Sequence, residues 1–387
     1  MRSLFSGSCV RTATVVVFAV AVIGAAPSAA SASEVFQWGG YGGFTEGLVA
    51  REPMMIGGLG SVAVKSVDDS NNSAYALAQD GSVWAWGENN FGELGDGTTV
   101  PSRYSAVRVA LPDPAVAIGE AEANAFAVTA SGHVWAWGER DGSTMCFEPT
   151  HTEAYYARPV EIPTLSNVVE VQGGEHHALF LLKNGTVETC GSNKSGQLGV
   201  AGIQESGGEP VQVPNLTGVV EISAGERTSC ARTSNGKLYV WGSDVEGQVG
   251  NGQEEAAVST PYHVPLPGPV TQVSCGGNLE SNGSTVAVVN GTEVYAWGDG
   301  SNGQLGTGTF QDSAVPMETS LSFAETVTGG VTSYGRAADG HVYAWGSGYE
   351  GALGTGVRGN DATPVPVSLT NAAQISSTAR NVVVLRR

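Results

Sequence analysis

Basic side chains are in short supply. The chain holds 18 Lys plus Arg against 37 Asp plus Glu, a formal net charge of -19 over 387 residues. A surface of that sign repels nucleic acid and anionic lipid, so neither is an expected partner. Charged residues of both signs reach only 14%, while glycine reaches 55 residues. That balance suits short strands joined by tight turns rather than helices.

Histidine is also scarce, at six. His133 and His341 each follow a glycine turn, His151 sits in an insertion and His263 lies in a proline-marked segment. His176 and His177 are adjacent, and neighbours on a strand point to opposite faces, so they do not share a metal readily. A nucleophile elbow, zinc-ligand spacing, a phosphate loop and an EF-hand calcium loop are all missing. No catalytic group, cofactor or metal is expected.

Long apolar runs are absent apart from Thr14 to Ala25, which is too short to span a bilayer. Arg2 and Arg11 precede or open it, and Ala30-Ser31-Ala32 follows with small residues. These features predict an export signal over residues 1–32 and a secreted product with no membrane span once it is removed. Without that segment 16 basic residues remain against 37 acidic ones.

What the chain has in abundance is repetition. "VFQWG" ends at Gly39, "VWAWG" at Gly87 and Gly138, "VETCG" at Gly191, "LYVWG" at Gly242, and "VYAWG" at Gly298 and Gly346. Successive steps run from 48 to 56 residues. A period near fifty kept along residues 33–387 predicts one repeat domain there. Each copy parses into four short strands, with a turn between second and third at Asp80-Gly81, Ser131-Gly132, Asn184-Gly185, Asn235-Gly236, Asn290-Gly291 and Asp339-Gly340. Asn-Gly and Asp-Gly at such places predict two-residue type I′ turns. Prolines mark the fourth strands, as in "EPVQVP", "STPYHVP" and "ATPVPV", and a residue with no N–H to donate belongs at a sheet edge. The N-terminus supplies a third-strand copy, while "AAQISSTARNVVVLRR" supplies first and second strands. An all-β, seven-bladed β-propeller follows, its closing blade shared between the two ends.

The glycine-rich stretch after each Trp-Gly resembles the repeat of the regulator of chromosome condensation family of seven-bladed propellers. Residues Cys190 to Gly199 match the pattern Trp-Gly-x-Asn-x-x-Gly-Gln-Leu-Gly apart from their first. Trp86 to Gly97 and Trp297 to Gly308 match with Glu93 and Gly300 as deviations, and Trp241 and Trp345 open looser copies. With the export signal, the resemblance implies a secreted, bacterial-type member. It implies fold more than function, since the family includes both a nuclear guanine-nucleotide exchange factor and a secreted β-lactamase inhibitor. The inhibitor-like members present aromatics in first-to-second loops where this chain carries Glu, Ser and Asn. "GDGSNG" and "GSGYEG" have the spacing of a dinucleotide loop, but a strand rather than a helix follows them, so the glycines serve a tight connection. Trp38, Trp86, Trp137, Trp241, Trp297 and Trp345 are expected to pack between blades.

Four cysteines follow residue 32, namely Cys146, Cys190, Cys230 and Cys275. They allow three pairings. Cys230 and Cys275, in adjacent blades, are expected to bridge; Cys190, standing where other copies have Trp, fits a buried thiol as well as a bridge.

First-to-second and third-to-fourth loops emerge at one end of a four-stranded antiparallel blade. The first set carries Asp68, Asp69, Glu120, Glu122, Glu175, Glu226 and Glu280, predicting an acidic mouth on the axis. The second set carries Phe91, Tyr349 and the insertion Glu139 to Pro159, with Met145, Phe147, Tyr155 and Tyr156. Loops on a rigid scaffold carry recognition and aromatics anchor interfaces. The expectation is a monomeric scaffold for a protein or cell-envelope partner, a cationic one by charge. A hydrolase or lyase using paired carboxylates at the mouth is the alternative, and inhibitor-like or exchange-factor-like activity is a third.

Overall fold

The turns between second and third strands carry the glycines into the left-handed region. Gly81, Gly132, Gly185, Gly236 and Gly340 have φ between 78° and 82°. Each amide donates to the carbonyl three residues back, as Gly81 does to Ala78. The residue before each of these glycines keeps a negative φ, so the turn is type I followed by a glycine bulge. Only Asn290-Gly291, with φ of 53° and 90°, forms the type I′ turn expected of the Asn-Gly and Asp-Gly pairs. Ordinary turn residues suffice at the other five because the bulged glycine alone supplies the twist.

A computed structural model describes residues 33–40, 50–70, 72–121, 123–140, 145–147, 154–206, 208–277, 283–378 and 381–387. The leader expected over residues 1–32 lies outside them. The strands form seven four-stranded antiparallel sheets, the blades of the propeller. Their innermost strands are Val64–Asp69, Ala115–Ala121, Val168–Gly173, Val219–Ala224, Val270–Cys275, Glu325–Thr328 and Ala372–Ser377, numbered here as blades one to seven. The seventh is the closing blade: Ala372–Ser377 and Asn381–Arg386 from the C-terminal end pair with Glu34–Gly39, which pairs with Ala50–Met55. Among the described residues the one helical element is a 3-10 turn, Tyr349–Gly351.

The repeated Trp-Gly now has a physical reason. Trp38, Trp86, Trp137, Trp241, Trp297 and Trp345 are wholly buried, each between its own blade and the preceding one. The indole N–H of Trp137 donates to the Glu93 carbonyl, Trp241 to Gln197, Trp297 to Gln248, Trp345 to Gln304 and Trp38 to Ala352, at 2.7 to 2.9 Å. Trp86 donates instead to the Gln37 side chain at 2.7 Å. Burying so large a ring is worth roughly 3 kcal/mol or more, provided its N–H is satisfied. The glycine after the tryptophan sits at positive φ; a side chain at Gly242, for instance, would meet the Arg227 carbonyl at 2.3 Å.

One junction departs from this scheme. The third blade carries Cys190 in place of the tryptophan, and the second blade carries the insertion in place of the glycine turn. Cys190 is bonded to Cys146 of that insertion, Cα to Cα 5.5 Å. A covalent link therefore replaces the aromatic wedge, and the reading of Cys190 as a free thiol is corrected. Cys230 and Cys275 form the second disulfide, Cα to Cα 6.4 Å, as expected from their adjacent blades.

Nearer the axis a second set of contacts laces the blades. Glu170, Glu221, Gln272, Glu325 and Gln374 hold equivalent places on five innermost strands. Each accepts a hydrogen bond from a backbone amide of the next blade, respectively Ile222, Val273, Thr326, Ile375 and Val67, at 3.0 to 3.4 Å. Burial raises the Glu170 carboxyl to about 7, against the amide bond that lowers it. Glu221 and Glu325 are raised for the same reason, with Arg232 and Arg336 opposing. These carboxylates are keys between blades rather than surface charge.

Candidate functional site

The glycine-rich turn is built to stand still. Asn89 and Asn193 accept from the Leu94 and Leu198 amides through their side-chain oxygens, and Asp244 does the same for Val249. Glu93, Gln197, Gln248 and Gln304 accept the amide two residues earlier, at Phe91, Ser195, Glu246 and Asn302. The closing glycine lies flat on the next blade: a side chain at Gly250 would meet Trp297 Nε1 at 2.7 Å. These polar groups, repeated from blade to blade, thus hold the turn. Phe91 occupies one tip, 38% exposed, and Tyr349 the corresponding region of the sixth blade, 65% exposed.

The insertion divides its aromatics. Met145 and Tyr156 are buried, and Phe147 packs on Tyr156 with ring centroids 5.8 Å apart. Tyr155, at the start of the outer strand Tyr155–Glu161, is 38% exposed. Tyr156 therefore leaves the expected contact surface for the core, because the Cys146 bond draws this end of the insertion against the third blade. Residues 141–144 and 148–153 lie outside the described residues.

On the axis at the same end, first-to-second loops enclose a cavity of about 70 Å³. Blades two to seven each contribute to its wall, among them Glu120, Glu175, Glu226, Gly276, Thr328 and Ser377. Glycines on the wall keep backbone close to the axis. Three of the expected acidic residues meet here, Glu120, Glu175 and Glu226; Glu122 and Glu280 lie outside the described residues.

Glu175 is not a bare charge. Arg227 Nε reaches it at 3.1 Å and His176 Nε2 at 3.3 Å, and its backbone amide donates to the Glu226 carbonyl at 3.0 Å. Burial pushes its carboxyl up, but hydrogen bonds and charge from His176 and Arg227 prevail and hold it below the usual carboxylate range. The fourth blade thus supplies a cation to the third, and removing the Glu175 charge loses an ion pair instead of relieving repulsion.

Asp68 and Asp69 are displaced from the expected mouth. Both belong to the innermost strand Val64–Asp69, which runs two residues further than the loop pattern suggested. Asp68 accepts from Ser376 Oγ at 3.0 Å, and burial raises its carboxyl to about 6 despite that bond. Asp69 is 1% exposed. Asp68 is half-buried and held by the closing blade, and Asp69 is shut away from solvent.

His177 was expected only to point away from His176. It is wholly buried, its Nε2 2.9 Å from Ser229 Oγ, whose own hydroxyl donates to the Gln197 carbonyl. Ser229 is therefore the acceptor and His177 carries its proton on Nε2. Burial lowers its pKa to about 3, with the His176 charge adding to the effect. Among the described residues no group of three or more His, Cys, Asp or Glu is placed to hold a metal ion.

A model of the RCC1-like domain matches residues 7–280, and the regulator of chromosome condensation repeat matches 293–331 and 339–385. The chain belongs to this family. The ultraviolet-B receptor UVR8 of Arabidopsis thaliana is 33% identical over 305 residues, covering 74% of this chain and 65% of that protein. The human E3 ubiquitin-protein ligase HERC2 is 30% identical over 247 residues, 62% of this chain and 5% of the ligase. The chain thus spans under two thirds of these relatives. Among solved structures, Prp20p from Saccharomyces cerevisiae, described with its binding to Gsp1p and histones, superposes with a TM-score of 0.80 at 21% identity, covering 92% of this chain and 91% of that one. Human WBSCR16 gives 0.80 at 19% identity, over 92% and 99%. At these identities the likeness is one of fold.

Proposed function

We propose that this chain is an exported, monomeric binding scaffold of bacterial type, which takes a basic protein or cell-envelope partner on its loop end and performs no catalysis. The observation that carries the reading is the axial cavity. Carboxylates from neighbouring blades converge on a space of about 70 Å³, whereas pockets for small substrates run to roughly 300 Å³ and more. A space of that size admits the head of a basic side chain, with exposed Phe91, Tyr155 and Tyr349 beyond it as apolar contacts. Two disulfides support export, since such bonds persist in oxidising compartments. Relatives described as binding proteins support the scaffold role. A hydrolase is less favoured, because so small a cavity leaves no cleft for a sugar ring between two carboxylates.

The test is capture from culture supernatant and envelope fractions, with the wild-type protein and a Glu120→Gln, Glu226→Gln variant as baits. The reading expects a partner that the wild type retains at low salt and loses as salt rises, and that the variant retains poorly. Equal capture by both baits would remove the mouth from the account.

A further inference from the structure

The closing blade and the first blade meet along a seam with an unusual group in it. Gln374 both accepts from the Val67 amide at 3.0 Å and donates to the Val67 carbonyl at 3.1 Å. Ser376 Oγ donates to Asp68 at 3.0 Å, and Thr378 Oγ1 donates to the Ser70 carbonyl at 3.4 Å. Between these contacts stands Asp69, 1% exposed, with no hydrogen-bond partner on either carboxylate oxygen. Equivalent positions of the fifth and sixth blades carry Cys275, bonded to Cys230 of the blade before it, and Thr328, 2.9 Å from Ser284 Oγ of the blade before it. Where those blades place a link, the first blade places a carboxyl that holds nothing.

An ionised carboxylate without a partner is costly in such surroundings, whereas a neutral carboxyl is tolerated at far smaller cost. The titratable groups around it give no relief. Asp68 precedes it on the strand, Tyr75 stands opposite Asp68 on the next strand, Glu120 lies on the second blade's innermost strand and Tyr334 belongs to the sixth. On the closing blade's facing strands Ala372–Ser377 and Asn381–Arg386, the charged residue is Arg386, engaged with Glu34 at the far end. Among the described residues, all of these are acids or phenols except that distant arginine.

We propose that this seam is locked by a proton on Asp69, so that the ring closes fully only while that carboxyl is neutral. The sign follows from linkage. Burial, and then the charge of Asp68, hold the Asp69 carboxyl well above the carboxylate range. The folded state therefore binds the proton more tightly than the unfolded chain, and the stability it brings is complete in acid and lost as pH rises through the folded value. Thr378 also lines the axial cavity, so loosening the seam moves one wall of the mouth.

The experiment compares melting of the wild type and Asp69→Asn from about pH 3 to about pH 9, each on an Asp244→Asn background to remove a second buried acid. The asparagine keeps the shape and cannot ionise. It should match the parent in acid and melt several degrees higher at the alkaline end, with a shallower slope between. Hydrogen exchange at Val64–Asp69 and Ala372–Ser377 should accelerate with pH in the parent beyond the intrinsic rise, and not in Asp69→Asn. Should Asp69→Asn fail to fold, Asp69→Thr, which copies the residue at 328, takes its place. Identical slopes in parent and variant, or seam exchange no more pH-sensitive than that of the fourth and fifth blades, would overturn the proposal.

Discussion

Cys190 is joined to Cys146 across the one blade junction whose tryptophan is missing. The two cysteines are 44 residues apart, the same separation as Trp241 from Gln197 and Trp137 from Glu93. The disulfide therefore occupies the place of an indole hydrogen bond, and it should do the same mechanical work.

Replacing both cysteines by serine is expected to destabilise the fold by about 2–4 kcal/mol, the usual contribution of a disulfide closing a loop of this length. Denaturant unfolding of the double variant measures it. Reductant should lower the wild-type midpoint toward that of the variant and leave the variant's response limited to the Cys230–Cys275 bond.

At the ordinary junctions, Trp345→Phe keeps most of the apolar ring and removes the donor to the Gln304 carbonyl. That carbonyl still accepts from Ser333 Oγ at 2.8 Å. The loss should therefore be moderate, about 1–3 kcal/mol, from one hydrogen bond and a small void. Trp345→Ala, which empties the gap, should cost about 3–5 kcal/mol by the same measurement.

Asp244 stands where Asn89 and Asn193 stand in other turns. The Asn193 amide donates to the carbonyls of Val200 and Ile203 at 2.8 Å, whereas a carboxylate at 244 has no N–H to offer in its place. Burial raises the Asp244 carboxyl to about 6, against the Val249 amide and the Asn251 side chain. Its contribution to stability is therefore present in acid and fades as pH climbs through about 6. Asp244→Asn should raise the melting temperature at neutral pH and leave it unchanged near pH 4, where the aspartate is already protonated.

The six copies of Trp-Gly and the Cys190-Gly191 copy made the blade number, the closing blade and the wedge residues legible, because each feature repeats and its residue type has one job. The blade end that carries the mouth was legible for the same reason, from strand order alone. Single features were harder. Asp68 and Asp69 look like loop residues beside "SNNS", and only the register of Val64–Asp69 against Ser73–Ala78 shows that they are strand. The Cys146 bond had a signal in the 44-residue spacing, masked by the insertion that replaces the turn. The pairing of Glu175 with Arg227 joins two blades and follows from curvature, which a linear pattern does not carry.

Closure itself can be tested by a chain ending at Ala379, which lacks the strand Asn381–Arg386 that lies between Ala372–Ser377 and Glu34–Gly39. Removing it breaks the hydrogen-bonded path around the ring. The shortened chain should melt lower and less cooperatively than the full one, read by calorimetry.

The account turns on the loop end as the binding surface. Its most direct measurement is partner capture by three proteins side by side: wild type, Glu120→Gln with Glu226→Gln at the mouth, and Asp80→Asn with Asp339→Asn in the hairpins at the opposite end. Both variants remove two negative charges, so net charge is matched and only place differs. The account predicts that the mouth variant loses salt-sensitive capture while the hairpin variant keeps it. Equal loss in both, or capture kept by the mouth variant and lost by the hairpin one, would contradict it.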